Sequence, residues 1–302
     1  MRIRRIELGD IITYLGNKVQ NVDGVQTGFY IDNLAEVERV NETTLDWINP
    51  SKPNKQMIAE SSKARVLLVD ESVAPIVGKV LIHVKNPKVA LAEVGNHFFV
   101  EQPKAGIHST AIIDPEAKIG KDVCIGAYCV IGKAEIGDGC VLDSNVRVYD
   151  DTVMGKGCVI KAGAVLGGAG FGYERDADGN KFRFPQIGQL IMGDNVEVGA
   201  NTCIDRGALA DTIIGDYTKI NNLCHIAHNN KIGRNVTITG CVNVSGSNVI
   251  EDDVWIAPNS SIRGWVHIGK GATVGMGAVV VKDIPAKEIW VGNPARKLEK
   301  KG

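Results

Sequence analysis

An excess of charge of either sign is missing from this chain. Its 302 residues carry 34 Lys and Arg against 35 Asp and Glu, a formal net charge of −1. Nucleic acid or an anionic membrane surface would call for a basic excess, so neither is expected as the main partner. No apolar run is long enough to span a bilayer, and none is expected to anchor the protein in one. The opening Met1-Arg2-Ile3-Arg4-Arg5 is charged and lacks the apolar stretch of a secretory signal. Seven cysteines (Cys124, Cys129, Cys140, Cys158, Cys203, Cys224, Cys241) are odd in number and never in CxxC spacing. They read as reduced, small apolar fillers, and the cytoplasm is the expected compartment. Aromatic residues make up only 5% of the chain, so a local concentration of them carries information.

What the sequence does contain is a period of six. From Ile214 an aliphatic residue recurs at Ile220, Ile226, Ile232, Ile238, Val244, Ile250, Ile256, Ile262, Ile268, Val274 and Val280 without a miss. Neither a helix nor an alternating strand repeats at six. A parallel β-helix with three six-residue sides does, because each side turns one aliphatic side chain into the prism. The comb extends back through Ile107, Ile113, Ile119, Ile125 and Ile131, then Ile136 to Leu166, then Met192, Val198 and Ile204, each run out of step with the last. Glycine often follows the inward aliphatic, as at Ile119-Gly120 and Ile232-Gly233, where the chain turns a corner. The fold class expected is a left-handed parallel β-helix, mainly β, with a small N-terminal α/β domain. Such a prism leaves flat faces exposed, and a homotrimer is expected to bury them.

Residues 1–102 lack the period and form the α/β domain, joined to the solenoid of residues 103–302 near Pro103 to Gly106. Helices are expected over Glu7 to Val19 and over Val89 to Phe98, the second opened by Asn86-Pro87. Val66 to Val69 and Val80 to Val84 read as buried strands. One insertion, residues 167–189, interrupts the solenoid. It carries the turn signal Asp178-Gly179 and, beside Tyr173, three of the six phenylalanines: Phe171, Phe182 and Phe184.

If Ile226 points inward, His228 lies at the following corner. Eighteen residues make one coil, so Gly246, Gly264 and Lys282 occupy the same corner in the next coils, roughly 4.8 Å apart. An imidazole beside two backbones without side chains suits acyl transfer from a thioester. It offers a general base, a backbone N–H for a developing oxyanion and an open channel for a long donor arm. His225 precedes the inward Ile226 and faces outward from a flat side. A zinc centre would need about three histidines converging. His225 and His228 face differently, no third histidine shares their level, and no metal is expected.

Gly167-Gly168-Ala169-Gly170-Phe171-Gly172-Tyr173, Pro185-Gln186-Ile187-Gly188, Cys203-Ile204-Asp205-Arg206-Gly207-Ala208-Leu209 and Ile226-Ala227-His228-Asn229 closely resemble the UDP-3-O-acylglucosamine N-acyltransferases of lipid A synthesis. The likeness reaches Val84-Lys85-Asn86-Pro87 in the first domain, which in that family helps to hold the uridine nucleotide. The resemblance implies that His228 is the general base and that the Gly246 amide meets the thioester carbonyl. It also implies that Phe171 and Tyr173 shape the acceptor or donor cleft. Trp47, just before Asn49-Pro50, answers with a one-residue shift to the aromatic that stacks on uracil.

Three features depart from that family. Trp265 stands where a second histidine is usual, and Asn221 where an aspartate is common. The chain ends soon after Val291-Gly292-Asn293-Pro294-Ala295-Arg296, an ending similar to that of acetyl-CoA-dependent hexapeptide acetyltransferases. There the last coils and a basic tail, here Arg296 to Lys301, lie by the coenzyme's phosphates, a role that would suit Lys282 and Arg296. Bulk at Trp265, beside Gly264, would close a channel needed by a long acyl chain. The expected function is thus an N-acyltransferase of a nucleotide-linked amino sugar, with acetyl-CoA as co-substrate and no tightly bound cofactor. The alternative is the lipid A enzyme itself, drawing a 3-hydroxyacyl group from acyl carrier protein.

Overall fold

A computed structural model describes residues 5–24 and 27–298. The charged start at Met1 to Arg4 and the tail residues 299–301 lie outside the described residues. The chain divides into two compact units, Met1–Gln102 and Pro103–Gly302.

The first unit is built on a four-stranded sheet in the order Val19–Asp23, Val80–Val84, Val66–Val69, Leu45–Trp47. The first pair is antiparallel and the other two are parallel. Both faces of the two central strands are buried. Val66, Leu68, Val80, Ile82 and Val84 pack with Leu8, Ile11 and Leu15 of one helix and Ala90 and Val94 of another. Leu67, Val69 and Leu81 turn the other way, onto Val40, Ile48, Ala59 and Val73. Unbroken aliphatic runs are what a strand covered on both sides requires. Both central strands match the sequence reading, but the first helix is shorter. The first is Leu8–Leu15, stopped by Gly16 at a φ of 52°, and Val19 begins a strand instead. The second is Pro87–Val94, with Asn86 Oδ1 accepting from the Val89 N–H as its cap. It continues as one wider turn over Gly95–Phe99.

The second unit is the left-handed parallel β-helix. Its strands, most of them two residues long, stack into three sheets of 11, 9 and 8 strands. Register follows the period: Ile226 pairs with Val244, Val244 with Ile262 and Ile262 with Val280, eighteen residues per coil. Every residue of the comb from Ile214 to Val280 is at most 2% exposed. Each such side chain contributes about 1.5–3 kcal/mol by its removal from water. The first inward position is different, since Ile107 lies in the outermost coil and is 53% exposed.

Corners follow the same period. Tyr217, Leu223, Asn229, Asn235, Cys241, Ser247, Asp253, Asn259 and Trp265, each three residues after an inward aliphatic, hold φ between 56° and 64°. Asparagine and aspartate tolerate this left-handed conformation, whereas a bulky residue such as Trp265 is an outlier there. Polar ladders fill some corners from within. The fully buried Asn230 accepts from the Asn248 N–H, and Asn248 accepts in turn from the Val266 N–H. Of the seven cysteines, all unbridged, four are buried fillers as expected. Cys241 is exposed, because its corner position turns the side chain outward.

The insertion forms the expected hairpin, Tyr173–Arg175 paired antiparallel with Lys181–Arg183. Its turn is tied by Asp176, whose carboxylate accepts from the Asp178 and Asn180 N–H groups. A second, smaller excursion after the strand Cys203–Asp205 explains why the comb steps from Ile204 to Ile214. Among the described residues no helix is long and apolar enough to cross a membrane.

Candidate active site

Four backbone strands of neighbouring coils set the corner at which His228 stands. Ser247 N–H donates to the His228 carbonyl at 3.0 Å, and Trp265 N–H donates to the Gly246 carbonyl at 3.2 Å. These bonds stack His228, Gly246 and Gly264 in one column, as the eighteen-residue spacing requires. Lys282 continues the column and is exposed. The imidazole lies directly over Gly246. A Cβ at that glycine would stand 2.9 Å from His228 Cε1 and 3.1 Å from Nε2. On the opposite side, a Cβ at Gly170 of the insertion would stand 2.9 Å from His228 Cδ2. The ring is therefore held between two glycines that leave it room and no more.

Its tautomer is set by Asn229. The Asn229 Oδ1 accepts from Ala208 N–H at 3.0 Å, and its Nδ2 donates to the Ala210 carbonyl at 3.2 Å. Both partners have one possible role, so the amide has one orientation. His228 Nδ1, 2.8 Å from that same Oδ1, must then carry the proton. Nε2 is left with its lone pair, turned to Gly246, which is the tautomer a general base needs. No hydrogen-bond partner for the Gly246 N–H is present among the described residues, so that amide is free to donate.

The two excursions support this corner together. Ile187 and Gly188 N–H groups both donate to the Ala208 carbonyl. Arg206 donates from Nε to the Gly188 carbonyl at 2.6 Å and from Nη2 to Asp151 at 2.9 Å. Asp205 is nearly buried, 14% exposed, with its carboxylate 3.7 Å from His225 Nε2. Burial pushes the Asp205 carboxyl above the usual carboxylate range, against the pull of His225 and His228.

Other expected site residues are distributed as follows. His225 faces outward from its flat side, its side chain 46% exposed, between Cys203 and Asn243. Asn221 is exposed at the preceding corner, its Oδ1 accepting from Asn222 N–H, and no contact joins it to His228. Phe171 and Tyr173 meet edge to face at 5.0 Å and are 80% and 39% exposed. Trp265 follows Gly264 and is 82% exposed. Arg296 lies in the last short strand, Arg296–Lys297, and its guanidinium donates to the Ala295 carbonyl. In the first unit Trp47 is half-buried against the helix-side core with Lys88 over its ring at 5.9 Å, and Asn49 Oδ1 accepts from Ser51 N–H. Asn229, Asp205, Arg206, Gly170 and Gln186 stood inside the motifs read from sequence without a role of their own. Their contacts with the His228 corner appear only once distant segments are folded together.

Asn229→Gly keeps the backbone φ of 62° accessible while removing the amide. It is expected to lower kcat about 10- to 100-fold by freeing the wrong tautomer. Steady-state kinetics beside circular dichroism checks this, and an unchanged rate would remove the tautomer lock from the account.

Residues 133–168 and 249–282 match the signature described as "Bacterial transferase hexapeptide (six repeats)". A UDP-3-O-acylglucosamine N-acyltransferase of Coxiella burnetii (strain Dugway 5J108-111) is 34% identical over 293 residues, 90% of this chain and 84% of that protein. UDP-3-O-acylglucosamine N-acyltransferase 1 of Francisella tularensis subsp. holarctica (strain OSU18) is 37% identical, over 96% of this chain and 90% of its own. Among solved structures, the UDP-N-acetylglucosamine O-acyltransferase of Moraxella catarrhalis superposes with a TM-score of 0.59 at 29% identity, covering 64% of this chain and 73% of that one. The corresponding enzyme of Bacteroides fragilis gives 0.58 at 27% identity, with 64% and 74% covered. Likeness of this extent over most of the length, on a prism whose corner carries His228 against Gly246, makes the protein an acyltransferase, and the chain belongs to the UDP-3-O-acylglucosamine N-acyltransferase family.

Proposed function

We propose that the protein transfers a 3-hydroxyacyl group from acyl carrier protein to the amine of UDP-3-O-acylglucosamine. The observation that carries this reading is the His228 imidazole, its Nδ1–H held by Asn229 and its Nε2 free beside the Gly246 amide. Nε2 takes a proton from the sugar amine as nitrogen attacks the thioester carbonyl. The Gly246 N–H donates to the oxyanion, the C–S bond breaks, and the proton passes on to the departing thiolate.

The remaining assignments belong to the same proposal. Trp47 stacks on uracil with Asn49 beside it. Phe171 and Tyr173 wall the acceptor cleft, and His225 and Asn221 line it from adjoining sides or a neighbouring subunit of a homotrimer. Gly264 and Trp265 border the donor arm, and Lys282 and Arg296 meet its phosphate. No metal takes part, and the reaction runs in the cytoplasm.

The acetyl-CoA reading drawn from the sequence yields here to its alternative, because the named relatives are N-acyltransferases of UDP-3-O-acylglucosamine. A thiol-release assay with that acceptor separates the two donors. 3-Hydroxyacyl carrier protein should be turned over and acetyl-CoA should be silent. Release from acetyl-CoA alone would restore the other reading.

A further inference from the structure

The Gly246 N–H can meet an oxyanion only if its peptide is held the right way out, and two buried asparagines hold it. The Ser245 carbonyl belongs to the same peptide. It accepts from Asn248 Nδ2 at 2.6 Å and from Asn230 Nδ2 at 3.0 Å. Both asparagines are fully buried, so these bonds come from inside the prism. Neither amide can flip. Asn230 Oδ1 accepts from the Asn248 N–H at 3.0 Å and Asn248 Oδ1 from the Val266 N–H at 2.7 Å, which leaves each Nδ2 as the donor. The Ser245–Gly246 peptide is trans, and the C=O and N–H of a trans peptide point in opposite directions. With its oxygen fixed inward, it must direct the Gly246 N–H outward. Gly246 is itself the neighbour of the base, since a Cβ there would stand 3.1 Å from His228 Nε2. Closure of the prism asks for no amide at this position. One coil further on, Val266 occupies the same place in the register and offers no side-chain donor. At a different corner the fully buried Ser260 does the work with a hydroxyl, donating to the Ala257 and Gly275 carbonyls at 2.7 and 3.0 Å. Among the described residues no other carbonyl accepts from two side-chain amides.

We infer that Asn230 and Asn248 are positioning residues for acyl transfer, acting through the Gly246 amide; the inference rests on the oxyanion role proposed above for that amide. They act in two ways. They fix the plane of the peptide, so the N–H is aimed before the substrate arrives and needs no reorganisation during the reaction. They also polarise it, because a carbonyl held by two donors draws electron density from its nitrogen and strengthens the N–H as a donor. As the sugar nitrogen attacks, the π pair of the thioester carbonyl moves onto oxygen, where the Gly246 N–H meets it. The pair returns to re-form C=O as the C–S bond breaks, and the proton taken by His228 goes to the thiolate.

Asn248→Val introduces the residue that the next coil already carries in this place, and Asn248→Ser restores a donor of the kind that Ser260 supplies. Both are measured with UDP-3-O-acylglucosamine and 3-hydroxyacyl carrier protein. Asn248→Val is expected to lower kcat about 10-fold, less than outright loss of an oxyanion donor, with KM for both substrates within about 2-fold. Asn248→Ser should regain most of that rate. Ser260→Ala, which removes a buried hydroxyl at a different corner, should lower the melting temperature and leave kcat unchanged. Should Asn248→Val not fold, Asn230→Val is read by the same criteria. An active wild type whose kcat is unchanged in Asn248→Val, a loss carried by KM, or an equal loss in Ser260→Ala would overturn the assignment and leave the N-acyltransferase reading standing. A wild type that makes no amide would overturn both.

Discussion

His228→Ala is expected to lower kcat about 10²- to 10⁴-fold, the range that a positioned general base contributes. KM for the sugar nucleotide should stay within a few-fold, since the imidazole acts on the reacting nitrogen and not on the nucleotide. The substitution touches no inward position. Ile226 and Ala227 remain buried, and the corner bond from Ser247 N–H to residue 228 uses the backbone. A melting temperature close to that of the wild type should therefore accompany the loss. Rate and melting temperature measured on one preparation separate the two. A variant that keeps its rate would remove His228 from the chemistry, and one that loses fold and rate together would leave its role structural.

Gly246→Ala should cost activity by a different route. The Gly246 backbone lies outside the left-handed region, so alanine is acceptable there on backbone grounds. The added methyl would nevertheless stand 2.9 Å from His228 Cε1 and 3.2 Å from its carbonyl oxygen. Retreat of the ring would cost the bond that Asn229 holds to Nδ1. Displacing a base by about 1 Å can lower the rate about 10²-fold. We expect that loss in kcat with the β-helix intact. Kinetics and circular dichroism on the variant check this, and an unchanged kcat would contradict the packing argument.

The prism was legible from sequence because its core is one-dimensional. One inward side chain per six residues recurs along the chain itself, so Ile214 to Val280 report their burial without reference to any distant partner. His228 and the Gly246 column were legible for the same reason, since eighteen-residue stacking is arithmetic on that period. Whatever depends on segments leaving the prism was not. The 206–211 excursion appeared only as an unexplained ten-residue step, although it supplies Ala208 and Ala210 to Asn229. The lock on Nδ1 and the burial of Asp205 both arise where this excursion meets the end of the 167–189 insertion. Gly16 shortened the first helix because a left-handed residue ended it, which outweighed the helical spacing of Val19. The choice of donor fared differently. It leaned on Trp265 and on the ending of the chain, neither of which reports on thioester chemistry, whereas the relatives are named for UDP-3-O-acylglucosamine as the acceptor.

The central claim, that this corner makes an amide on a sugar nucleotide, is tested most directly by the mass and linkage of the product. UDP-3-O-acylglucosamine and 3-hydroxyacyl carrier protein should give a diacylated sugar nucleotide whose new acyl group resists mild base, as an amide does, with His228→Ala giving none. An unchanged acceptor mass, or a second acyl group released by mild base as an ester, would contradict it.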